Sequence, residues 1–304
     1  IVVGNTVLEA DGTLRWQGRL NAGRGDNGGA GDRVIGPLSV VADLDLDDRP
    51  EIIAGNTAYR ADGSVLWTAQ VPDAFPAVAN FNDDPYPEVA LVACGADGLG
   101  KVYVLTHEGK RLWGPVPLPG GAQRGCGGAP TVGDMDGDGR PEIGVAGGRA
   151  YAVFDTDGRQ LWTQTTQDGS SRATGSSVFD FEADGFAEVV YGDELRLRVY
   201  RGTNGRVLWD VPRPDGTAYD MPIIVDVDAD GNAEIVSVSN TLYTPGSNGI
   251  QVYGDANDTW VPTRRIWNQH TYHIDNINDD GTIPRVEARG WMTHNSYRMN
   301  RLST

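Results

Sequence analysis

A nine-residue acidic segment recurs along the chain and sets the architecture that the rest of the sequence has to fit. Its best copies read D-x-D-x-D-G-x-x-E, as in DMDGDGRPE at 134–142. Good copies occupy 43–51, 80–88, 134–142, 180–188 and 226–234, and a weaker sixth occupies 276–284, so the unit is about 47 residues long. A repeat of about 40–50 residues predicts one supersecondary unit that is stacked several times.

A second signature, a tight turn followed by a tryptophan, accompanies most acidic segments. It reads DGTLRW at 11–16, DGSVLW at 62–67, EGKRLW at 108–113, DGRQLW at 157–162 and NGRVLW at 204–209, with DTW at 258–260 as a degenerate sixth. Asp-Gly and Asn-Gly are preferred in two-residue β-hairpins, because both turn residues need a positive φ. The flanking segments alternate or run apolar, which predicts strands.

Each unit therefore predicts one four-stranded antiparallel sheet, with the acidic loop after its first strand and the Asx-Gly hairpin before its last. Such a sheet cannot bury both faces by itself, and radial stacking of several sheets solves this. The predicted fold is an all-β β-propeller of four-stranded blades, a single domain over residues 1–304. The recurring tryptophan is most simply a packing residue between neighbouring blades.

The two ends of the chain leave the blade number open. The N-terminal segment 1–16 has a hairpin but no acidic loop, and the C-terminal segment 262–304 has a loop but no clear Leu-Trp hairpin. If the two ends complete one shared blade, there are six blades. If each end belongs to its own partial blade, there are seven.

The acidic segment has the ligand pattern of a calcium site. Calcium binds six to eight oxygens, and magnesium is disfavoured because it keeps its waters and demands octahedral geometry. Positions 1, 3 and 5 would supply side-chain oxygens, position 7 a backbone carbonyl and position 9 a closing carboxylate. The predicted ligands are Asp43, Asp45, Asp47, Arg49, Glu51, Asn80, Asn82, Asp84, Tyr86, Glu88, Asp134, Asp136, Asp138, Arg140, Glu142, Asp180, Glu182, Asp184, Phe186, Glu188, Asp226, Asp228, Asp230, Asn232, Glu234, Asn276, Asn278, Asp280 and Thr282.

The copies differ in quality, and solvated Asx turns are the alternative explanation for any single one. The first copy has Asp48 where glycine is expected. The second uses two asparagines and has Pro85 at that place, and the sixth has Pro284 in place of the closing acid. We therefore expect weak or empty sites in the second and sixth copies.

Charge and cysteine content restrict partners and compartment. The net charge is −17, which disfavours nucleic acid. The six segments hold 22 of the 42 acids, so six divalent ions would reduce the charge to about −5. No apolar run is long enough to span a bilayer, and the start at Ile1 suggests a mature or trimmed product. Cys94 and Cys126 form either one disulfide or two buried thiols.

On these motifs, best at 134–142, 180–188 and 226–234, the chain resembles FG-GAP/VCBS-type repeat proteins, which include the integrin α-subunit propeller. The resemblance implies a calcium-stabilised propeller, often seven-bladed and secreted or on a cell surface. The run RRIWNQHTYHIDNINDDGTIPRVE (264–287) is similar to the ending of bacterial proteins of this type. It favours seven blades and a bacterial extracellular or cell-surface location. The D-G-x-x-L-W endings are also similar to quinone-dependent dehydrogenase propellers, which do not carry an acidic loop in every blade.

The leading functional hypothesis is a calcium-binding, non-enzymatic module for binding, adhesion or structure, with a protein or carbohydrate ligand. A polysaccharide-acting, lyase-like enzyme and a structural subunit of a larger surface assembly are the alternatives. We predict no catalytic residues. The Arg24-Gly25-Asp26 tripeptide would be exposed and flexible, but such matches are frequent by chance. His270, His273 and His294 would be structural histidines of a closing blade rather than metal ligands.

Overall fold

The computed structural model describes residues 1–19, 22–27, 36–120, 126–242, 245–246 and 248–303. Within these ranges the chain is built from 22 β-strands, with two short 3-10 helices at Ile274–Asn276 and Gly290–Met292 and no α-helix. The same part of the chain has no helix with the length and apolar character that crossing a membrane requires.

The strands form six antiparallel sheets in chain order. Sheet 1 contains β1 (Val2–Val3), β2 (Thr6–Leu8) and β3 (Leu14–Gln17); sheet 2 contains β4 (Val40–Ala42), β5 (Glu51–Ala54), β6 (Thr57–Tyr59) and β7 (Val65–Thr68); sheet 3 contains β8 (Ala74–Ala79), β9 (Glu88–Cys94), β10 (Gly100–Leu105) and β11 (Arg111–Pro117). Sheet 4 contains β12 (Thr131–Gly133), β13 (Glu142–Ala146), β14 (Ala150–Phe154) and β15 (Gln160–Thr165); sheet 5 contains β16 (Ser176–Phe179), β17 (Glu188–Gly192), β18 (Arg196–Tyr200) and β19 (Val207–Pro212); sheet 6 contains β20 (Ile223–Val225), β21 (Glu234–Ser239) and β22 (Gly249–Tyr253).

This architecture confirms the all-β fold, the four-stranded unit and the place of the acidic loop in it. Strands β5, β9, β13, β17 and β21 each begin at the closing glutamate of an acidic segment. Sheets 1 and 6 have three strands in the described part of the chain. The six sheets of the described residues fit the six-blade alternative, whereas the sequence favoured seven blades.

The tryptophans of the hairpins join each sheet to the next, as predicted. Trp113 of sheet 3 donates its Nε1–H to the carbonyl of Thr156, in the hairpin of sheet 4, at 2.7 Å. The indole also covers the hairpin glycine: a Cβ on Gly158, which has φ +85°, would come within 2.9 Å of the Trp113 ring. The same donation links Trp16 to Ala61, Trp67 to His107 and Trp162 to Gly202.

The apolar core lies between successive sheets rather than within any one of them. One cluster joins Val92 and Val104 of sheet 3 to Ile143 and Phe154 of sheet 4. Further clusters join sheets 2 and 3, sheets 4 and 5, and sheets 5 and 6. The first strands of sheets 2 to 6 contact one another in order, which is the arrangement of strands around a propeller axis.

The C-terminal segment, residues 262–303, does not form the closing blade that the sequence suggested. It is largely irregular and runs across the first strands of consecutive sheets. Tyr297 exchanges two backbone hydrogen bonds with Val132 of β12, and Val178 of β16 donates to the carbonyl of Arg298. The Asn300 side chain donates to Ile224 of β20. The segment therefore fills the centre of the ring.

The structure also describes the two cysteines and the Arg24-Gly25-Asp26 tripeptide, which lie at the end of the sheets opposite to the acidic loops. Cys94 and Cys126 are joined in a disulfide. The Arg24-Gly25-Asp26 tripeptide is not a free loop, because the backbone N–H groups of Arg24 and Gly25 donate to the Asp73 carboxylate at 2.8 and 3.2 Å. The expectation of exposure holds for Arg24 but not for Gly25, which is buried, and the two hydrogen bonds to Asp73 hold this loop in place.

Candidate metal sites and the channel-filling segment

Four of the six acidic loops bring three carboxylates together, with ligand oxygens within 4.8 Å of one another. The groups are Asp43, Asp45 and Glu51; Asp134, Asp136 and Glu142; Asp180, Glu182 and Glu188; and Asp226, Asp228 and Asp230. Three comprise positions 1, 3 and 9 of the segment and the fourth comprises positions 1, 3 and 5. Carboxylate oxygens gathered in this way suit a hard divalent cation.

Backbone geometry explains why these side chains point inward. In loop 134–142, Gly137 and Gly139 have φ of +79° and +84°, and both donate their N–H to Asp134, at 2.7 and 2.9 Å. In loops 43–51, 180–188 and 226–234, the residues at positions 4 and 6 of the segment also have a positive φ. Asp48 adopts this conformation in the first loop with φ +63°. The missing glycine therefore does not prevent that carboxylate cluster from forming.

The closing glutamate of loop 134–142 has one carboxylate oxygen engaged and one without a partner in the described part of the chain. Oε2 of Glu142 accepts the N–H of Met135 at 2.6 Å. Its Oε1 is buried and has no hydrogen-bond partner among the described residues. An unpartnered buried carboxylate oxygen is costly, and Glu142 belongs to a carboxylate cluster that could hold a cation. This observation supports the fit of a divalent ion to the loop.

The raised pKa values of the closing glutamates also indicate that these loops need a balancing positive charge. Burial, followed by repulsion from Asp136 and Asp134, raises the pKa of Glu142 to about 8. Burial and repulsion from Glu182 raise the pKa of Glu188 to about 8. Burial likewise raises the pKa of Glu51 to about 7. These carboxylates need either protons or a cation to balance their charge.

Loop 80–88 is assembled differently and already contains its own hydrogen-bond donors. Pro85 occupies position 6, and its ring cannot adopt the positive φ found there in the other loops. The Asn82 amide donates to Asp84 at 3.0 Å and to Glu88 at 2.8 Å. An amide nitrogen thus satisfies the acids that an ion would otherwise bind. The predicted site at Asn80, Asn82, Asp84 and Glu88 is not among the described carboxylate clusters.

Loop 276–284 also lacks a described carboxylate cluster. Asn278 donates to the Thr282 hydroxyl at 2.9 Å, and Asp280 accepts the Thr282 N–H at 2.9 Å. The acid at position 4, Asp279, pairs with Arg264 at 2.7 Å. These contacts describe an Asx turn with a neutralised acid. Weak or empty sites in the second and sixth copies therefore stay a prediction, and these contacts are its structural basis.

The C-terminal segment (262–303) makes long-range contacts that the sequence did not predict. Arg298 is 2% exposed and donates to Ser176 O at 2.7 Å, Ser177 Oγ at 3.1 Å and Pro222 O at 3.3 Å. Arg289 reaches the first acidic loop and pairs with Asp43 at 3.1 Å. No local sequence pattern predicts these contacts of Arg298 and Arg289, since their partners lie more than 70 residues away in the sequence.

Comparison with known proteins identifies the family. The model of the family described as "Outer membrane protein assembly factor BamB" matches residues 124–290, more than half of the chain. The chain belongs to the BamB family. Our assignment to FG-GAP/VCBS-type repeat proteins is therefore wrong. The acidic segment was a poor guide to ancestry because the same alternating-acid loop serves calcium in unrelated scaffolds such as the EF-hand.

Solved structures resemble the chain in fold. The V. cholerae biofilm matrix protein Bap1 superposes with a TM-score of 0.74 at 19% identity, covering 96% of this chain and 80% of that one. Rhamnogalacturonan lyase YesW gives 0.49 at 15% identity, covering 86% and 55%. BamB from Moraxella catarrhalis gives 0.45 at 17% identity, covering 88% and 73%. A search of curated protein sequences returned no match.

Proposed function

We propose that the chain is a calcium-stabilised β-propeller that works outside the cytoplasm as a non-enzymatic binding or structural module. Calcium would occupy the four carboxylate clusters and hold the first two strands of sheets 2, 4, 5 and 6 together. The partner would be a protein or a carbohydrate, contacted at the end of the sheets where the acidic loops lie.

The observation that carries this proposal is the filled centre of the ring. A propeller enzyme needs a concave site where substrate and reacting groups meet. Here Tyr297 packs in the core cluster that includes Val40, Ala77 and Val132, and Arg298 is enclosed by sheets 5 and 6. The axis is thus occupied by the chain's own side chains, which favours a module that acts through its outer surface.

The disulfide and the related proteins support the proposed location. Structural disulfides persist in oxidising compartments such as the periplasm or the extracellular space, and Cys94 and Cys126 are bonded. The family is described by an outer membrane assembly factor, and Bap1 is described as a biofilm matrix protein. We propose the same location for this chain, in the cell envelope or outside the cell.

The C-terminal segment provides a candidate contact surface beside the acidic loops. Its apolar side chains Ile283, Val286 and Met292 are 65%, 62% and 56% exposed. Arg289, between them in sequence, is tied to Asp43 and Asp48 of the first acidic loop. Calcium in that loop would compete with Arg289 for the Asp43 carboxylate, and would in this way act on the surface.

Binding arrays test the proposal directly. The chain is applied to arrays of bacterial polysaccharides and envelope proteins with calcium and with a chelator. We expect retention that needs calcium and is weakened by Ile283→Asp with Val286→Asp. Ile250→Asp, on the 74% exposed side chain of β22, serves as the matched control at a distant surface. Retention that is the same with calcium and with chelator, and unchanged in both surface variants, would contradict the proposal. Turnover of an arrayed polysaccharide would show that the chain is an enzyme instead.

A further inference from the structure

A small, partly open cavity lies between the C-terminal segment and the first strands of sheets 2 and 3. Its volume is about 20 Å³, and its walls include Val40 and Val78 on the strand side. A space of this size accommodates about one water molecule or one ion. The opposite wall carries the side chains His273, Asp275, Glu287, His294 and Ser296.

The polar side chains around this cavity form two imidazole–carboxylate pairs. His273 Nε2 is hydrogen-bonded to Glu287 Oε1, and His294 Nε2 lies 4.0 Å from Asp275 Oδ1. All four groups come from the C-terminal segment, yet they are separated by up to 21 positions in sequence. The fold therefore concentrates two of the chain's four histidines and two acids at one cavity.

Ser296 adds an independent sign that the cavity has an occupant. Its Oγ is buried and makes no hydrogen bond among the described residues, although it lines the cavity. A buried hydroxyl without a partner costs free energy unless a water or an ion satisfies it. The cavity thus has both the room and an unmet polar contact.

We propose that this cavity is a binding site for a borderline-soft divalent cation of the zinc type, held by His273, His294, Asp275 and Glu287. Imidazole nitrogens with carboxylate oxygens are the ligand set that zinc accepts in proteins. The acidic loops offer oxygen alone and suit calcium. The two kinds of site would therefore be loaded by different metals, and the zinc site would fasten the C-terminal segment inside the ring.

Ion binding requires the two pairs to move toward a common centre. Ligand atoms on a tetrahedral zinc with bonds of 2.0–2.1 Å lie about 3.3 Å apart. The short His273–Glu287 contact would open toward this spacing, and the 4.0 Å gap between His294 and Asp275 would close. The sets of three ligand atoms within 4.8 Å in the described chain are the acidic clusters. The four histidine-site ligands are not gathered in this way in the described chain, so the proposed ion would have to draw them together.

An entry route exists on one side of the cavity. His294 and Ser296 line both the small cavity and a wider depression of about 660 Å³ that continues along Asn300 and Arg301. The His294 side chain is 38% exposed. Rotation of this one imidazole would admit an ion from solvent without unfolding the segment.

The test is a zinc titration of the full chain in excess calcium, after treatment with a strong chelator. Calcium keeps the acidic loops filled, and competition with a chromophoric chelator reports zinc affinity. We expect one zinc ion per chain, and an intense cobalt absorption band of tetrahedral type when Co²⁺ replaces zinc. Absence of both zinc uptake and the cobalt band in the unaltered chain would overturn the proposal without reliance on any variant.

Variants locate the site. His273→Gln with His294→Gln keeps side-chain size and hydrogen bonding, and should lower zinc affinity by more than about 100-fold, since even outer partners of metal ligands contribute 10–100-fold. His107→Gln is the control, because His107 stacks on Tyr86 at 4.0 Å, away from the cavity. Equal zinc affinity in the double variant and the control would show that the ion binds elsewhere and would refute the site.

Discussion

Replacement of Glu142 by glutamine separates the two roles of this carboxylate, as a buried charge and as a metal ligand. Without a cation, the carboxylate is surrounded by Asp134 and Asp136, and burial with their repulsion raises its pKa from 4.5 to about 8. The glutamine keeps an acceptor for the Met135 N–H, and its amide can donate to the neighbouring acids. Loop 80–88 shows this solution in place, since the Asn82 amide donates to Asp84 and Glu88.

The raised pKa of Glu142 gives the size and the sign of the change in stability that Glu142→Gln should cause. Since the folded-state pKa is raised above the unfolded value, stability is lost as the pH rises between about 4.5 and about 8. At pH 7 this loss is about 3 kcal/mol. For a chain of this length it corresponds to roughly 5 °C in Tm. In chelator at pH 7, Glu142→Gln should therefore melt about 5 °C above the unaltered chain, and the advantage should vanish near pH 4.5.

Calcium should remove this advantage. An ion at a hundredfold its Kd stabilises the intact loop by about 2.7 kcal/mol, and at a thousandfold by about 4.1 kcal/mol. The unaltered chain should therefore match the variant at the first concentration and exceed it at the second. Thermal melts by circular dichroism across calcium concentrations measure this convergence.

Glu88→Gln is the control, since loop 80–88 is not expected to bind calcium and the difference in Tm should be the same with and without the ion. The reasoning is refuted if Glu142→Gln lowers Tm in chelator, or if calcium leaves the difference between Glu142→Gln and the unaltered chain unchanged.

Three other perturbations test the links between sheets. Trp113→Phe loses the hydrogen bond to Thr156 and should lower the free energy of unfolding in urea by roughly 1–2 kcal/mol; an unchanged midpoint would contradict its docking role. Replacement of Cys94 and Cys126 by serine opens a loop with a sequence separation of 32 and should cost about 3–4 kcal/mol, whereas equal stability with and without reductant would show that the bond contributes nothing. Arg298→Met leaves buried carbonyls without donors and should cost roughly 3 kcal/mol or more, measured in the same urea series.

The repeating part of the fold was predictable because its determinants are local. The closing glutamate marks the start of the second strand in sheets 2 to 6, for example at Glu51 and Glu142. Asx-Gly turns place the hairpins, and their tryptophans dock as expected. Each of these features depends on a few consecutive residues, so the pattern in the sequence is sufficient to read them.

The centre of the ring was not predictable for the opposite reason. Residues 262–303 have no period, and their structure depends on contacts such as Arg298 to Ser176 and Asn295 to Asn80, which join distant parts of the chain. The sequence predicted only in part which acidic loops form a carboxylate cluster. Pro85 signalled a poor loop because its φ is fixed, whereas Asp48 in the glycine position proved compatible with a formed cluster.

A crystal structure in calcium, with anomalous difference maps recorded at long wavelength, tests the central claim most directly. We predict four peaks, at the clusters that contain Asp43, Asp134, Asp180 and Asp226, each with oxygens at about 2.3–2.6 Å. We predict no peak in loop 80–88. Empty clusters at Asp134 and Asp180 in saturating calcium, or a fully occupied ion beside Asn82, would contradict the central claim.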